Sequence, residues 1–157
     1  MSRTDIVSNI SVAQTIEPGN YQATETGTGV DLAGFDKAAV VITVGTSTDT
    51  GFSFEVQESD TLGSGYTAVD DADLEGTEPT TAVASSVTEI GYKGIKRYVR
   101  VVATDTGTGN ADFGVAVTGG NMEPGSGRLD FELDAMSAEL GQRVEQLTDP
   151  ADLVPPP

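Results

Sequence analysis

Short apolar runs separated by glycine-rich turns recur through residues 9–118 of the chain. In residues 51–58, GFSFEVQE, apolar side chains alternate with polar ones, which is the period of a strand with one buried face. The runs are spaced roughly 8–15 residues apart with no helical pattern between them. This arrangement predicts an all-β fold, either an antiparallel β-sandwich or a jelly-roll-like barrel. The stronger predicted strands are residues 38–44, 51–58, 87–92, 97–104 and 111–118.

Weaker apolar runs and turns fill the intervals between these strands. The run AAVVITV, residues 38–44, is continuously apolar, which predicts a central strand covered on both faces. The sequence TGTGN, residues 106–110, separates two alternating runs and is interpreted as a hairpin loop. Further turns are predicted at residues 18–20 and 63–65. The weaker predicted strands are residues 9–16, 21–26, 65–69 and 82–85.

The composition changes after Gly119, where the sequences GGN and EPGSG indicate a flexible linker. We therefore predict a β domain over residues 1–122 and an extension over residues 123–157. Within the extension, apolar residues recur at the spacing of one helix face, which predicts a short amphipathic helix followed by an extended Pro-rich end. The apolar face consists of Met136, Leu140, Val144 and Leu147.

The apolar face of this predicted helix needs a surface to cover, because a helix of about 14 residues is marginal alone in water. Either the helix folds back on its own β domain, or it packs on a neighbouring subunit or a partner protein. The Gly-rich linker gives the extension reach, which favours the second alternative. We therefore predict that Met136, Leu140, Val144 and Leu147 contact a partner, and that a cut after Met122 leaves a folded β domain.

The chain is strongly acidic, with 25 acidic residues, 8 basic residues and a formal net charge of -17. Such a charge repels nucleic acid at long range, so we expect no nucleic-acid partner. Four of the eight bases nevertheless lie within residues 90–100. A positive band on an acidic protein indicates either contact with an acidic partner or second copy, or ion pairs across its own strands. The candidate contact residues are Lys93, Lys96, Arg97 and Arg100.

The composition also removes the usual catalytic groups. The chain has no cysteine and no histidine, so disulfides, thiolate metal sites and Ser–His–Asp triads are excluded. We expect no enzymatic activity and no cofactor. The N-terminal residues lack the apolar core of a signal peptide, and no apolar run approaches the roughly 20 residues that span a bilayer. We therefore expect a protein without a membrane partner that is synthesised and kept in a cytoplasm, or released from one by lysis.

An acidic loop, residues 70–76, has the spacing with which a calcium-binding EF-hand loop begins. The twelfth position, where such a loop places a bidentate Glu, is Ala82. A solvated acidic loop is therefore the favoured interpretation, and we predict no tight metal site. Weak calcium binding by Asp70, Asp71 and Asp73 stays an open alternative.

Four stretches of the chain resemble a family of small proteins encoded in the head-gene region of tailed bacteriophages and prophages. In that family a "GVDL-GFD" start, an "ESDDGS-Y" centre and an "IGY-G-KRYVRV" strand recur in this order. Here the centre reads ESDTLGSGYTAV, with Thr61 and Leu62 preceding Gly63. The resemblance covers about residues 8–122 and does not extend to the C-terminal extension. The stretches are GVDLAGFD (29–36), QESD (57–60), DLEGTEP (73–79) and IGYKGIKRYVRVV (90–102).

This resemblance implies a virion protein, with decoration of the capsid surface as the leading role. It implies the major capsid protein as partner and a homo-oligomer, such as a trimer, as the working form. Two alternatives come from other classes. One is a tail or head–tail connector component of the virion. The other is a carbohydrate-binding adhesion module, against which the absence of Trp counts.

Overall fold

A computed structural model of the chain describes residues 7–48 and 51–121. The chain divides into two units, Met1–Asn121 and Met122–Pro157, and the described residues belong to the first. The predicted linker and helix, with Met136, Leu140, Val144 and Leu147, lie outside the described residues. The strands in the described residues are β1 (Ile10–Tyr21), β2 (Glu25–Thr26), β3 (Val30–Asp31), β4 (Lys37–Ser47), β5 (Phe52–Ser59), β6 (Thr67–Ala68), β7 (Leu74–Glu75), β8 (Ser86–Tyr92), β9 (Tyr98–Asp105) and β10 (Ala111–Gly120).

These strands form two antiparallel sheets, which confirms the predicted all-β sandwich. The first sheet has the strand order β1-β10-β4-β8-β7, and the second has the order β2-β9-β5-β6 with β3 also beside β9. The remaining regular elements in the described part are two 3₁₀ turns, Val7–Asn9 and Asp71–Asp73. The described residues contain no helix with the length and apolarity needed to cross a bilayer.

The core lies between the two sheets and is built from alternate residues of each strand. In β5 the buried apolar side chains are Phe52, Phe54 and Val56, as the two-residue period predicts. Phe113 of the first sheet packs edge-on against Phe52 and Phe54 of the second, with ring centroids 5.1 and 5.2 Å apart. Phe113 also contacts Tyr21 at 4.6 Å. The contacts of Phe113 with Phe52 and Phe54 join the two sheets, and the contact with Tyr21 lies within the first sheet.

Strand β4 is central in its sheet, between β10 and β8, as predicted. The predicted coverage of both its faces is wrong. Val40, Ile42 and Val44 are buried, whereas Val41 is half-buried and Thr43 is exposed. The apolar run therefore reflects the preference of β-branched residues for strands on either face, and not burial on both.

The predicted hairpin loop at residues 106–110 is wrong. β9 and β10 flank this loop, but β9 belongs to the second sheet and β10 to the first. The loop therefore carries the chain across the sandwich. A hairpin and a loop that crosses between sheets favour the same residue types, because both contain tight turns that glycine forms easily. Only the pairing of the flanking strands distinguishes them.

Two further local predictions are wrong. Residues 18–20, predicted as a turn, lie inside β1, where the register with β10 shifts between Ile16 and Gly19. A bulge of this kind absorbs a proline that a regular ladder would reject. Residues 82–85, predicted as a strand, are irregular, and Ser85 has a φ of 56°. Ala82 is nonetheless buried in the core, whereas Val83 is 55% exposed, so the apolar residues of this segment do not share one buried face.

Candidate partner-binding surface

The four bases that the sequence analysis selected lie close together in the fold. Lys93, Lys96 and Arg97 lie in residues 93–97, which carry the chain from β8 in the first sheet to β9 in the second. Arg100 is on β9. We call residues 93–97 the basic loop. The loop joins two sheets, so its backbone is held at both ends by the sandwich.

Two of these bases form ion pairs with acids of the same β domain. The ammonium of Lys96 pairs with the carboxylate of Asp60. The guanidinium of Arg97 donates from Nε and Nη2 to the two oxygens of Asp31, at 3.0 and 2.8 Å. This bidentate geometry fixes the direction of Arg97. Both pairs raise the pKa of the base, with the hydrogen bond to the carboxylate as the main cause.

The other two bases differ from each other. Arg100 donates to Gln57 Oε1 at 3.0 and 2.8 Å and lies over the ring of Tyr66, 3.9 Å from its centroid. Its charge is therefore satisfied by an amide and an aromatic face. The Lys93 side chain is exposed, and no hydrogen bond or ion pair engages its ammonium within residues 7–48 and 51–121. Of the predicted contact residues that the structure describes, Lys93 is the one available to a partner.

Tyr92 packs against the basic loop at Gly94 and hydrogen-bonds to it at Lys96. Its hydroxyl donates to a carboxylate oxygen of Glu58 at 2.5 Å and accepts the N–H of Lys96 at 3.0 Å. Glu58 is on the second sheet and Tyr92 on the first, so this hydrogen bond also joins the sheets. A Cβ on Gly94 would lie 2.5 Å from the Tyr92 ring, so the loop can cross the ring only with glycine there. Burial, and then the bond to Glu58, raise the pKa of Tyr92 well above its usual value.

A second loop, residues 32–36, lies beside the basic loop. The N–H of Leu32 donates to the carbonyl of Arg97 at 2.8 Å, and the N–H of Phe35 closes a turn on the Leu32 carbonyl at 3.1 Å. Gly34 within this turn has a φ of 87°, which favours glycine. The Phe35 ring packs on Gly119 of β10, where a Cβ would lie 2.7 Å from the ring. The loop is therefore anchored to both sheets.

The two loops border an open groove with a volume of about 470 Å³. Ile95 lines it and is 95% exposed. Lys37 and Lys93 also line the groove, and neither ammonium has a partner within the described residues. Among those residues, the one acid that lines the groove is Asp36, which is unpaired. The groove thus combines apolar surface with a local positive charge on a chain of net charge -17. The apolar floor is formed by Leu32, Phe35, Ala38 and Tyr92.

The four sequence stretches that carry the family resemblance all contribute to this region. Asp31 comes from the first stretch, Glu58 and Asp60 from the second, and the basic loop from the fourth. The third contributes Asp73, whose carbonyl accepts the N–H of Lys93 at 2.7 Å. The stretches are separated in sequence but meet in space, so they specify one structural region and not four.

The acids that hold the basic loop were not predicted from the sequence. Asp31, Glu58 and Asp60 contact residues that lie 66, 34 and 36 positions away in the chain. Each of these acids lies in one of the quoted stretches, which was the available signal. The distances between the stretches concealed the pairing.

The acidic loop that resembles an EF-hand does not form a cation cage in the structure. Its residues Asp71–Asp73 form a 3₁₀ turn, in which the N–H of Asp73 donates to the carbonyl of Asp70 at 2.8 Å. No group of three or more carboxylate, histidine or cysteine side chains that could hold a metal ion is found within residues 7–48 and 51–121. The loop instead holds the backbone of Lys93, whose N–H donates to the carbonyl of Asp73.

Comparison with known proteins identified no relative of this chain. No family model, no curated protein and no solved structure matches it. A functional assignment therefore depends on the geometry of the groove and on the residues that form it.

The ion pair between Asp31 and Arg97 predicts a stability change in acid. Hydrogen bonds from Arg97, and then from the N–H of Ala33, lower the pKa of Asp31 to about 2. An unfolded Asp titrates near 3.9, so the ionised carboxylate stabilises the fold above about pH 4, and this contribution is lost as the pH falls through about 2. We expect Asp31→Asn to lower the melting temperature slightly near neutral pH.

Thermal unfolding followed by circular dichroism checks this prediction. The difference between Asp31→Asn and wild type should shrink as the pH falls from about 4 to about 2. A difference that stays constant across this range would show that Asp31 acts through its shape and not through its charge.

Proposed function

We propose that this chain is a non-enzymatic structural protein of a virion, a decoration protein that binds the outer surface of a head shell and stabilises it. The observation that carries the proposal is the almost complete exposure of Ile95 on a loop that is held by contacts along its length. An exposed apolar side chain on a rigid frame, next to two unpaired lysines of the described residues, suits a docking anchor. The partner we propose is the major capsid protein.

The support for a binding role comes from how the region is built. Tyr92, Gly94 and the ion pairs of Lys96 and Arg97 all hold the backbone of the basic loop, so little order remains to be imposed when a partner binds. Binding to a preordered loop loses less conformational entropy than binding to a flexible one. The resemblance to head-region phage proteins supplies the kind of partner. The absence of histidine and cysteine from the whole chain supports a non-enzymatic role.

Stabilisation of the shell follows from mass action. A protein that binds the assembled lattice but not its free subunits shifts the equilibrium towards the lattice. Each copy can contribute modestly, because a shell offers many equivalent positions. Ile95 would enter an apolar recess of the capsid subunit, and Lys37 and Lys93 would pair with carboxylates around that recess. We propose that the chain acts there as a homo-oligomer, on the virion surface after synthesis in the host cytoplasm.

Changing Ile95 to aspartate tests the anchor directly. We expect Ile95→Asp to weaken binding to purified heads at least tenfold, because it removes the apolar contact and places a negative charge next to acidic partners. The measurement is co-sedimentation of the purified variant with heads of the phage that encodes the chain. Val87→Asp is the matched control, since Val87 is 62% exposed on β8, near the end of that strand farther from the basic loop.

Three outcomes would contradict the proposal. Equal binding of Ile95→Asp and wild type to heads would show that the basic loop is not part of the interface. Electron microscopy of labelled particles that finds the chain only on tails would replace decoration with the tail or connector role. Binding to glycans in place of heads would instead identify an adhesion module.

A further inference from the structure

Within the described residues, the outer edge of β1 is open over residues 10–14. β1 is the terminal strand of the first sheet and pairs only with β10 among the described strands. Beyond Gln14 the edge is covered, because the N–H of Thr28 donates to the carbonyl of Thr15 at 2.8 Å. Residues 10–14 keep a regular register with β10, from Ile10 opposite Gly120 to Gln14 opposite Ala116.

The register shows which backbone groups point away from the sheet. The N–H of Asn121 donates to the carbonyl of Asn9 at 3.1 Å, and these two residues lie opposite each other when the register of β1 and β10 is continued. In an antiparallel pair, residues that exchange hydrogen bonds alternate with residues whose N–H and C=O point outward. Ile10, Val12 and Gln14 therefore present their N–H and C=O groups at the open edge.

This edge lacks the features that normally prevent pairing between molecules. Exposed edges are usually protected by charges, by proline or by very short strands. Residues 6–16 contain no charged residue and no proline, in a chain in which 21% of residues are charged. The side chains of Val12 and Ile10 on this segment are 59% and 37% exposed. The segment therefore offers both backbone hydrogen bonds and apolar surface.

We propose that β1 of one copy pairs with β1 of a second copy, antiparallel and about a two-fold axis at Val12, so that the first sheets of two molecules become continuous. In this register Val12 lies opposite its counterpart, and Ile10 lies opposite Gln14 of the second copy. All three outward-facing residues then exchange hydrogen bonds, about six bonds in total. A two-fold pairing of identical strands is self-complementary.

The uncharged edge fits a second copy of the chain as its occupant. Two molecules of net charge -17 repel each other over most of their surfaces, but the segment around Val12 carries no charge. Glu17, the next acid along the strand, lies beyond Thr15, where the edge is already covered and the register with β10 has shifted. No carboxylate therefore opposes another along the paired edge, and the uncharged edge is where two copies can approach.

A single cysteine provides the first test, because the natural chain has none. In a hydrogen-bonded antiparallel pair opposite Cα atoms are about 5.5 Å apart, within the range of about 4.4–6.8 Å that a disulfide spans. We expect Val12→Cys to form a disulfide-linked dimer under mild oxidation at micromolar protein, read on a non-reducing gel. Thr43→Cys, exposed on the central strand β4, is the control and should stay largely monomeric. Equal crosslinking of the two variants would overturn the proposal.

Sedimentation equilibrium of uncrosslinked protein provides the second test. Val12→Pro removes the outward N–H without removing a bond to β10, whereas Val12→Thr keeps the N–H and the β-branched shape. We expect Val12→Pro to raise the dimer dissociation constant at least tenfold and Val12→Thr to change it little. A wild-type chain that stays monomeric up to about millimolar concentration, or a dimer that Val12→Pro leaves intact, would contradict the pairing. Circular dichroism of each variant confirms that the sandwich is folded.

Salt separates this interface from the basic groove. Raising NaCl from about 0.05 M to about 0.5 M should tighten the β1 dimer, because it screens the repulsion between two acidic molecules. The same change should weaken an association that depends on Lys37 and Lys93. Ile95→Asp should leave the dimer unchanged. A dimer that Ile95→Asp or added salt dissociates would therefore place the contact at the groove and overturn the β1 pairing.

Discussion

Replacing Phe113 with alanine is expected to lower the free energy of unfolding by about 3–5 kcal/mol, the range for removing a buried aromatic ring. Phe113 is 2% exposed and contacts Phe52, Phe54 and Tyr21. Its loss would leave a cavity between the sheets, because Phe52 and Phe54 are fixed on β5 and Tyr21 on β1, so the three rings cannot all move into one space. The penalty includes both the lost burial and the unfilled volume.

Urea unfolding followed by tyrosine fluorescence and circular dichroism measures this effect. Phe35→Ala is the matched control, since Phe35 is only half-buried, packs on Gly119 and lines the groove. We expect a smaller loss for the control. A loss below about 1 kcal/mol for Phe113→Ala would show that the sheets are held together by other contacts.

Replacing Tyr92 with phenylalanine is expected to lower the free energy of unfolding by about 1–3 kcal/mol at neutral pH, because it removes one hydroxyl that satisfies two groups. The carboxylate of Glu58 loses its donor and the N–H of Lys96 loses its acceptor. The ring itself stays, so the packing under Gly94 is kept. Tyr66→Phe is the control: the hydroxyl of Tyr66 donates to a carbonyl at an exposed position, and its loss should have a smaller effect.

The effect of Tyr92→Phe should depend on pH in a defined direction. Burial and the bond to Glu58 raise the pKa of Tyr92 in the folded state, while an unfolded tyrosine titrates near 10. Above about pH 10 the unfolded wild type therefore releases a proton that the folded wild type keeps, and wild-type stability falls. All other ionisable groups are the same in both proteins, so the difference between them isolates Tyr92. That difference should shrink above about pH 10, and a constant one would contradict this account.

The β-sandwich could be predicted from the sequence because its signal is local. The alternation in residues 51–58 reports directly that Phe52, Phe54 and Val56 share a buried face. The same period places Phe113, Val115 and Val117 on one buried face of β10. The predictions that failed concerned strand pairing and surroundings. The loop at residues 106–110 was interpreted as a hairpin because its composition does not show that β9 and β10 belong to different sheets.

In the candidate surface, too, the local sequence features were predictable and the long-range contacts were not. The cluster of bases within residues 90–100 was visible in the sequence, and Lys93 remains available in the fold. The partners of Lys96 and Arg97 were not visible, because Asp60 and Asp31 lie 36 and 66 residues away. Ile95 was not selected either. An isoleucine between two predicted strands is as compatible with a core position as with the exposed one that it occupies.

Local sequence pattern was enough to establish the all-β class, the main strand segments, the acidic character of the chain and the concentration of bases before β9. These properties depend on residue type and on spacings of two residues, which act within a few ångströms along the chain. Folding of the whole domain was needed to establish which strands pair, that the four stretches meet around Tyr92, that Lys93 and Ile95 face solvent, and that the edge of β1 is open among the described residues. These properties depend on contacts between residues far apart in the chain, where many partners are chemically equivalent and only the packing of the whole sandwich selects one.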